Sequence, residues 1–203
     1  MTRHPGLNLD ASHAPAHDHA VVLVFGFWVF MMSDAIIFGL LFATYVSMRD
    51  GLAGGPGPQD LFELRIVFAE TLVLLLSSLT MGMASLSMKH ERHDARLIGW
   101  LGVTLVLGLV FLGLAGHELA AMIDKGGVPT RSGWLSSFWA LVPLHGLHVS
   151  AAALWLIVIA AQILIFGQDA AVKTALLRLG VLWHFLDIIW VAIFTVVYLG
   201  GLA

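Results

Sequence analysis

Five long apolar stretches, separated by short polar connections, dominate the pattern of this chain. A helix rises about 1.5 Å per residue, so roughly 20 apolar residues cross a hydrocarbon core about 30 Å thick. The stretches are long enough for this, and they are too continuous for β-barrel strands, in which apolar and polar residues alternate. The pattern predicts an all-α membrane protein, a bundle of five transmembrane helices at about 21–48, 62–88, 97–122, 135–166 and 175–199.

The segment before the first stretch is polar. Residues 1–20 hold four histidines, two prolines and one arginine. The apolar run that follows is much longer than the ~7–15-residue core of a secretory signal, and no small-residue cleavage site ends it. We therefore expect a polar, flexible tail over residues 1–20 and one transmembrane domain over residues 21–203.

The distribution of lysine and arginine predicts the orientation in the membrane. The tail, the second connection and the fourth connection together carry six of these residues, whereas the first and third connections carry four and the C-terminus none. Cytoplasmic connections are enriched in Lys and Arg. We expect a cytoplasmic N-terminus and an external C-terminus.

The overall composition agrees with a membrane protein. The chain has 203 residues, of which 59% are hydrophobic and 11% charged, and its mean hydropathy is +0.92. Soluble domains carry about 25% charged residues. The net charge of −3 argues against a nucleic-acid partner, which calls for a basic surface. The chain contains no cysteine, which excludes disulfides, thiolate metal sites and iron–sulfur clusters.

Two further patterns concern helix ends and helix contacts. Ser78, Gly82 and Ser85 fall on one face of the second stretch, and small residues of this kind let two helices approach closely in lipid. Aromatic side chains near stretch ends are expected to anchor the helices at the membrane surface. These are Trp28, Trp100, Trp134 and Tyr198.

Ionisable residues inside the stretches are the candidates for function. A charge near the bilayer centre costs at least ~2.5–3.5 kcal/mol on insertion scales, so such residues are usually paired or functional. His184 and Asp187 lie one helical turn apart, share a face and can meet polar groups of neighbouring helices. The full set comprises four carboxylates and three histidines: Asp34, Glu70, Glu118, Asp187, His145, His148 and His184.

Each carboxylate has a functional and a structural interpretation. Asp34 has no positive charge nearby in the sequence, and it is either an acid that exchanges protons or contacts lipid, or a carboxyl hydrogen-bonded to another helix. Glu70 lies about two turns into its helix, where a structural polar contact is the better interpretation.

The sequence His145-Gly146-Leu147-His148 places two imidazoles on one helix face. Neutral imidazole is the commonest ligand of metals and haem, which gives a functional interpretation. Two histidines without a third ligand are weak support for such a site, and buried, hydrogen-bonded histidines are the simpler alternative.

At several positions the chain resembles subunit III of the haem–copper respiratory oxidases, above all the five-helix form of bacterial cytochrome bo-type ubiquinol oxidases. The resemblance begins at Trp28 and covers nearly all that follows. It rests on the motifs HGLHV at 145–149 and WHFLDIIW at 183–190, and on segments 28–34, 42–45, 70–78 and 131–133.

The resemblance implies a non-catalytic accessory subunit. In this family, haem and copper belong to subunit I, and subunit III binds no cofactor, holds phospholipid and helps to sustain proton uptake and turnover. Asp34 matches the family's carbodiimide-reactive acid, so it is the candidate lipid- or proton-linked group. Arg65 is a candidate contact for a lipid phosphate. The remaining ionisable residues would form an intramembrane polar network: Glu70, Glu118, His145, His148, His184 and Asp187.

Two alternatives remain open. The first is subunit III of a cytochrome c oxidase with the same number of helices, which differs in the electron donor of the complex. The second is a haem-bearing, cytochrome b-type membrane anchor that uses His145 or His148 together with His184.

Overall fold

The computed structural model describes residues 14–89, 94–167 and 169–202, and within these ranges it contains helices and no β-strand. Five of the helices are long and apolar enough to cross a membrane, which confirms the predicted fold class. The helical elements are α1 (Ala14–Ser47), α2 (Pro58–Leu61), α3 (Leu64–Lys89), α4 (Asp94–Asp124), α5 (Gly133–Phe166), α6 (Ala170–Ile193), a π-helical segment (Phe194–Leu199) and the closing turn α7 (Gly200–Leu202).

The N-terminal boundary differs from the expectation. Helix α1 begins at Ala14, within the stretch 1–20 predicted as a tail, while residues 1–13 of that tail lie outside the described residues. The apolar part of α1 that can cross a membrane is Phe25–Ser47. An apolar run predicts the part of a helix that lies in the bilayer. It does not predict where the helix begins, because backbone hydrogen bonds can extend the helix into polar sequence.

Four helices form a ring. α3 packs extensively on α4, α4 on α5, α5 on α6, and α6 again on α3, so that α4 lies opposite α6. α1 is added outside this ring, mainly against α5 and to a smaller extent against α6. Only 17% of its apolar span is buried, compared with 28–39% for the other four. α1 is therefore held by few contacts, and each polar contact on it matters more.

An aromatic cluster closes one end of the bundle. Tyr45 donates from its hydroxyl to the Val197 carbonyl (3.3 Å) and accepts from Trp134 Nε1 (3.1 Å). The ring of Phe62 lies 4.7 Å from that of Tyr198 and 5.7 Å from that of Trp134. Trp134 and Tyr198 are fully buried, so the prediction that they are interfacial anchors is wrong. Their polar atoms are satisfied inside the protein, and these rings pack as core.

The connections at this end contact one another. Lys125 Nζ donates to Glu63 Oε1 at 2.9 Å, and this bond together with the lysine charge lowers the pKa of the Glu63 carboxyl. Arg49 donates to the Gly200 carbonyl near the C-terminus. The first and third connections and the C-terminus therefore share one end of the bundle, as an alternating five-helix path requires.

Gly108 of α4 lies close against the indole of Trp183 on α6. A Cβ added to Gly108 would lie 2.9 Å from Trp183 Cη2 and 3.2 Å from Cζ2. Trp183 is buried, and its Nε1, which lies on the same edge of the indole as Cζ2, donates a hydrogen bond to Ser77 Oγ (3.1 Å). Because the indole cannot move away without losing this bond, only glycine fits at residue 108.

We expect Gly108→Ala to lower the free energy of unfolding by about 1–3 kcal/mol, the usual cost of overpacking a filled core. Gly102→Ala on the same helix is the matched control, since a Cβ there meets no atom within 4 Å. The control should be neutral or slightly stabilising, because alanine is the better helix former. Unfolding of the detergent-solubilised protein by increasing SDS measures both. Equal effects of the two substitutions would contradict the contact.

Candidate functional site

The predicted intramembrane residues lie in several separate contacts. Asp34 meets His148 between α1 and α5, and His184 meets Ser78 between α6 and α3. Glu118 is bonded to Tyr198. The three contacts differ in chemistry: a carboxyl faces an imidazole, an imidazole bonds to a serine, and a carboxyl accepts from a tyrosine.

The pair of Asp34 and His148 fastens the lightly packed helix α1. Asp34 is 6% exposed, and its Oδ2 lies 3.6 Å from His148 Nε2, which is ion-pair distance. His148 Nδ1 lies 2.8 Å from the Leu144 carbonyl. Since a carbonyl only accepts, Nδ1 carries a hydrogen, and Nε2 is the atom that faces the carboxyl.

This pair is also reachable from outside the bundle. The His148 side chain is 24% exposed, whereas the Asp34 side chain is 8% exposed. The ring of Phe38 covers His148, with the centroids 5.3 Å apart. The imidazole thus lies between a buried acid and the surface of the protein.

His145 is enclosed by aromatic rings. Its ring stacks on Trp190 with centroids 5.4 Å apart, and Phe38 and Phe111 approach it edge-on at 6.3 and 6.0 Å. The side chain is fully buried, and within the described ranges neither nitrogen has a hydrogen-bond partner. The structure therefore gives His145 aromatic contacts where a hydrogen bond was expected.

Glu70 and Glu118 lie deep in the bundle. Glu70 is fully buried, and neither carboxyl oxygen has a hydrogen-bond partner among the described residues. Glu118 is 4% exposed, and Tyr198 donates to its Oε2 at 2.9 Å. Next to Glu70, the Thr71 hydroxyl accepts from Trp190 Nε1 at 3.1 Å. The two acids thus lie in the interior, away from lipid.

His184 joins α6 to α3. Its Nδ1 lies 2.7 Å from Ser78 Oγ and 3.7 Å from Asp187 Oδ2 one turn along. The preceding residue, Trp183, donates to Ser77, so two consecutive residues of α6 bond to two consecutive serines of α3. Ser77 and the hydroxyl of Tyr198 were given no role from the sequence. The adjacent pairs Trp183-His184 and Ser77-Ser78 are the sequence feature that points to Ser77.

Each histidine named as a possible haem ligand makes contacts within this chain. His145 has no open side between its three aromatic neighbours, His148 directs its nitrogens to a carbonyl and to Asp34, and His184 Nδ1 is bonded to Ser78. In the part of the chain that is described, no group of three or more His, Asp or Glu residues could hold a metal ion. Two of these imidazoles bridge helices of this chain, His148 between α5 and α1 and His184 between α6 and α3.

Arg65 lies apart from these contacts. It is the second residue of α3, and it is exposed. This position is at the end of a membrane span, the depth at which lipid phosphates lie.

Comparison with known proteins identifies the family. A family model described as cytochrome c oxidase subunit III matches residues 7–202. The chain belongs to this family. The resemblance to subunit III of the haem–copper oxidases is thereby confirmed, and the protein is a multi-pass membrane subunit of an oxidase complex.

Individual relatives carry two kinds of name. The chain is 48% identical over 189 residues to "cytochrome bo(3) ubiquinol oxidase subunit 3" of Pseudomonas aeruginosa, a match that covers 93% of this chain and 90% of the relative. It is 45% identical over 185 residues to the protein of the same name from Pseudomonas putida, with 91% and 89% covered. It is 37% identical over 177 residues to "cytochrome c oxidase subunit 3" of Bacillus sp. PS3, with 87% and 85% covered.

We expect Tyr198→Phe to lower the free energy of unfolding by about 1–3 kcal/mol, because it leaves the buried Glu118 carboxyl without its donor. Thr195→Val is the control, since this exposed hydroxyl bonds only to the Val191 carbonyl of its own helix (2.8 Å). A double-mutant cycle with Glu118→Leu, which removes the acceptor, isolates the bond, and a coupling of about 0.6–1.7 kcal/mol is expected. Additive effects would show that the two groups act independently.

Proposed function

We propose that this chain is the non-catalytic accessory subunit III of a proton-pumping, bo-type ubiquinol oxidase. The complex oxidises ubiquinol and reduces oxygen to water at the haem and copper centres of subunit I. The observation that carries this proposal is 48% identity, across 93% of the chain, to a protein named as subunit 3 of such an oxidase. Subunit I is then the principal partner, with other oxidase subunits and phospholipids around it.

Quinol is the favoured electron donor of the complex. The relatives named for ubiquinol oxidases are 48% and 45% identical, whereas the relative named for a cytochrome c oxidase is 37% identical. Cytochrome c as the donor is the second candidate, because that relative still matches 87% of the chain.

The role of this subunit in the proposal is structural and proton-linked. Asp34 is the proposed lipid- or proton-linked acid, and its support is the 3.6 Å approach of its buried carboxyl to the partly exposed imidazole of His148. The contacts of Glu118, His184 and Asp187 support a role in tying helices together. Exposed Arg65 suits a phospholipid headgroup, through charge-assisted bonds to phosphate.

The proposed place is a bacterial inner membrane, with the N-terminus in the cytoplasm and the C-terminus in the periplasm. The supporting observation is the lysine and arginine bias of the connections, together with the arrangement that places the first and third connections and the C-terminus at one end. The chain itself is proposed to bind no haem or copper.

Co-purification tests the assignment. The chain should purify from native membranes in stoichiometric amount with a haem–copper oxidase, and the purified complex should accept electrons from ubiquinol and not from cytochrome c. Activity with cytochrome c alone would favour the second candidate. An absorption spectrum of the isolated chain should show no Soret band, and a stoichiometric band would support the cytochrome b-type anchor.

We expect Asp34→Asn to leave the initial rate of oxygen reduction unchanged, because no redox centre lies in this chain. Activity over many turnovers, or the amount of bound phospholipid per complex, should fall, since the substitution removes the acid that faces His148. Ser33→Ala is the neighbouring control, because the Ser33 hydroxyl bonds only to the Val29 carbonyl of its own helix (3.0 Å). Immediate loss of oxygen reduction in an intact complex would give Asp34 a different role.

A further inference from the structure

One face of α6 is left uncovered by the rest of the chain. Its residues follow one another at intervals of three or four, which places them on a single side of the helix. Leu177, Val181, Ile188 and Val191 are 40%, 40%, 68% and 42% exposed, and the side chain of His184 between them is 45% exposed. These residues form the His184 stripe: Leu177, Val181, His184, Ile188 and Val191.

The polar centre of this stripe lies in the middle of the membrane. The span that contains it runs from Ala171 to Leu202, so the middle falls at residues 186–187, less than one helical turn beyond His184. The hydrocarbon core extends about 15 Å to either side of its midplane. Lipid headgroups and bulk water are therefore out of reach of the imidazole.

Only one side of this imidazole is satisfied by the chain. Ser78 and Asp187 both face Nδ1, whereas Nε2 has no hydrogen-bond partner among residues 14–89, 94–167 and 169–202. The imidazole of His148 is also partly exposed, but both of its nitrogens face groups of this chain. A polar atom that points into hydrocarbon is costly, and lipid tails cannot bond to it.

The surroundings of His184 suit a packed helix. Leu75 and Leu79 of α3 are 47% and 64% exposed and flank Ser78. On α6, the exposed Val181 and Ile188 lie one turn to either side of His184. A single hydrogen-bonding group within an apolar border is typical of contacts between transmembrane helices, where polar side chains bond across helices and the remainder packs.

We propose that the His184 stripe is the contact surface for a transmembrane helix of another oxidase subunit, with a hydrogen-bonding side chain opposite Nε2. The inference rests on the proposed function, which supplies such a subunit. A lipid headgroup cannot bond to Nε2, because His184 lies near the middle of its membrane span. Lipid tails can cover the apolar border, whereas a hydrogen bond to Nε2 requires a protein helix.

Site-specific photocrosslinking in the assembled oxidase tests this surface. The photoreactive residue p-benzoylphenylalanine replaces Val181 or Ile188, and the complex is irradiated in membranes and purified by a tag on the catalytic subunit. Both probes should crosslink to the same neighbouring subunit. The control probe replaces Val106, which is 59% exposed on α4, the helix opposite α6 in the ring, and should not crosslink to that subunit.

The outcomes separate the two proposals. If the chain is absent from the purified oxidase, the proposed function fails. If the chain is present but the probes at residues 181 and 188 give no protein crosslink, or the same product as the probe at residue 106, the His184 stripe is not the contact and the proposed function stands.

A pair of substitutions tests the bond to Nε2. We expect His184→Leu to weaken retention of the chain in the detergent-washed complex about threefold, the ratio that corresponds to an average interhelical hydrogen bond in a membrane protein. Ser78→Ala should leave retention unchanged, because it removes the bond to Nδ1 and leaves Nε2 in place. Equal losses for both variants would show that His184 acts only within the chain, and would overturn the proposed bond.

Discussion

The absence of water from the bilayer core is the constraint on which this structure depends. A buried or lipid-facing polar group can find a hydrogen-bond partner only within protein, because lipid tails offer none. Indole and hydroxyl donors are used for this purpose between helices that are far apart in sequence. Among the described residues, these bonds include three between α3 and α6, one between α3 and α4, and one from Tyr198 beyond α6 to Glu118 of α4: Thr71–Trp190, Ser77–Trp183, Ser78–His184, Thr80–Thr104 and Glu118–Tyr198.

The three bonds between α3 and α6 also fix a register. Residue numbers rise along α3 from Thr71 to Ser77 as they fall along α6 from Trp190 to Trp183, as antiparallel neighbours require. The two indoles contribute large apolar surfaces as well as one donor each, so the same side chains fill the core and satisfy the hydroxyls. Gly108 makes room for one of these rings from the opposite helix. The packing of these rings and the hydrogen bonding of the α3 hydroxyls therefore depend on each other.

The five spans followed from the sequence because the bilayer sets their length and polarity directly. The sequence also placed the acids and histidines within these helices. Their partners did not follow from the sequence, since contacts such as Tyr45 with Val197 or Glu118 with Tyr198 join residues far apart in the chain and depend on how the helices rotate against one another. Hydropathy alone also placed Trp134 and Tyr198 at the membrane surface, because aromatic anchors and aromatic core residues have the same composition.

A subunit without a redox centre can affect a neighbouring catalytic subunit only through contacts, lipid or protons. The interior groups Glu70 and His145 are fully buried and cannot exchange with a partner without opening of the bundle. His148 and His184 are the intramembrane histidines with substantial exposure, and they differ in one physical respect. His148 faces an acid of its own chain, which suits the exchange of a proton. His184 keeps one nitrogen for a group outside the chain, which suits assembly, so the two proposed roles fall on different faces of the molecule.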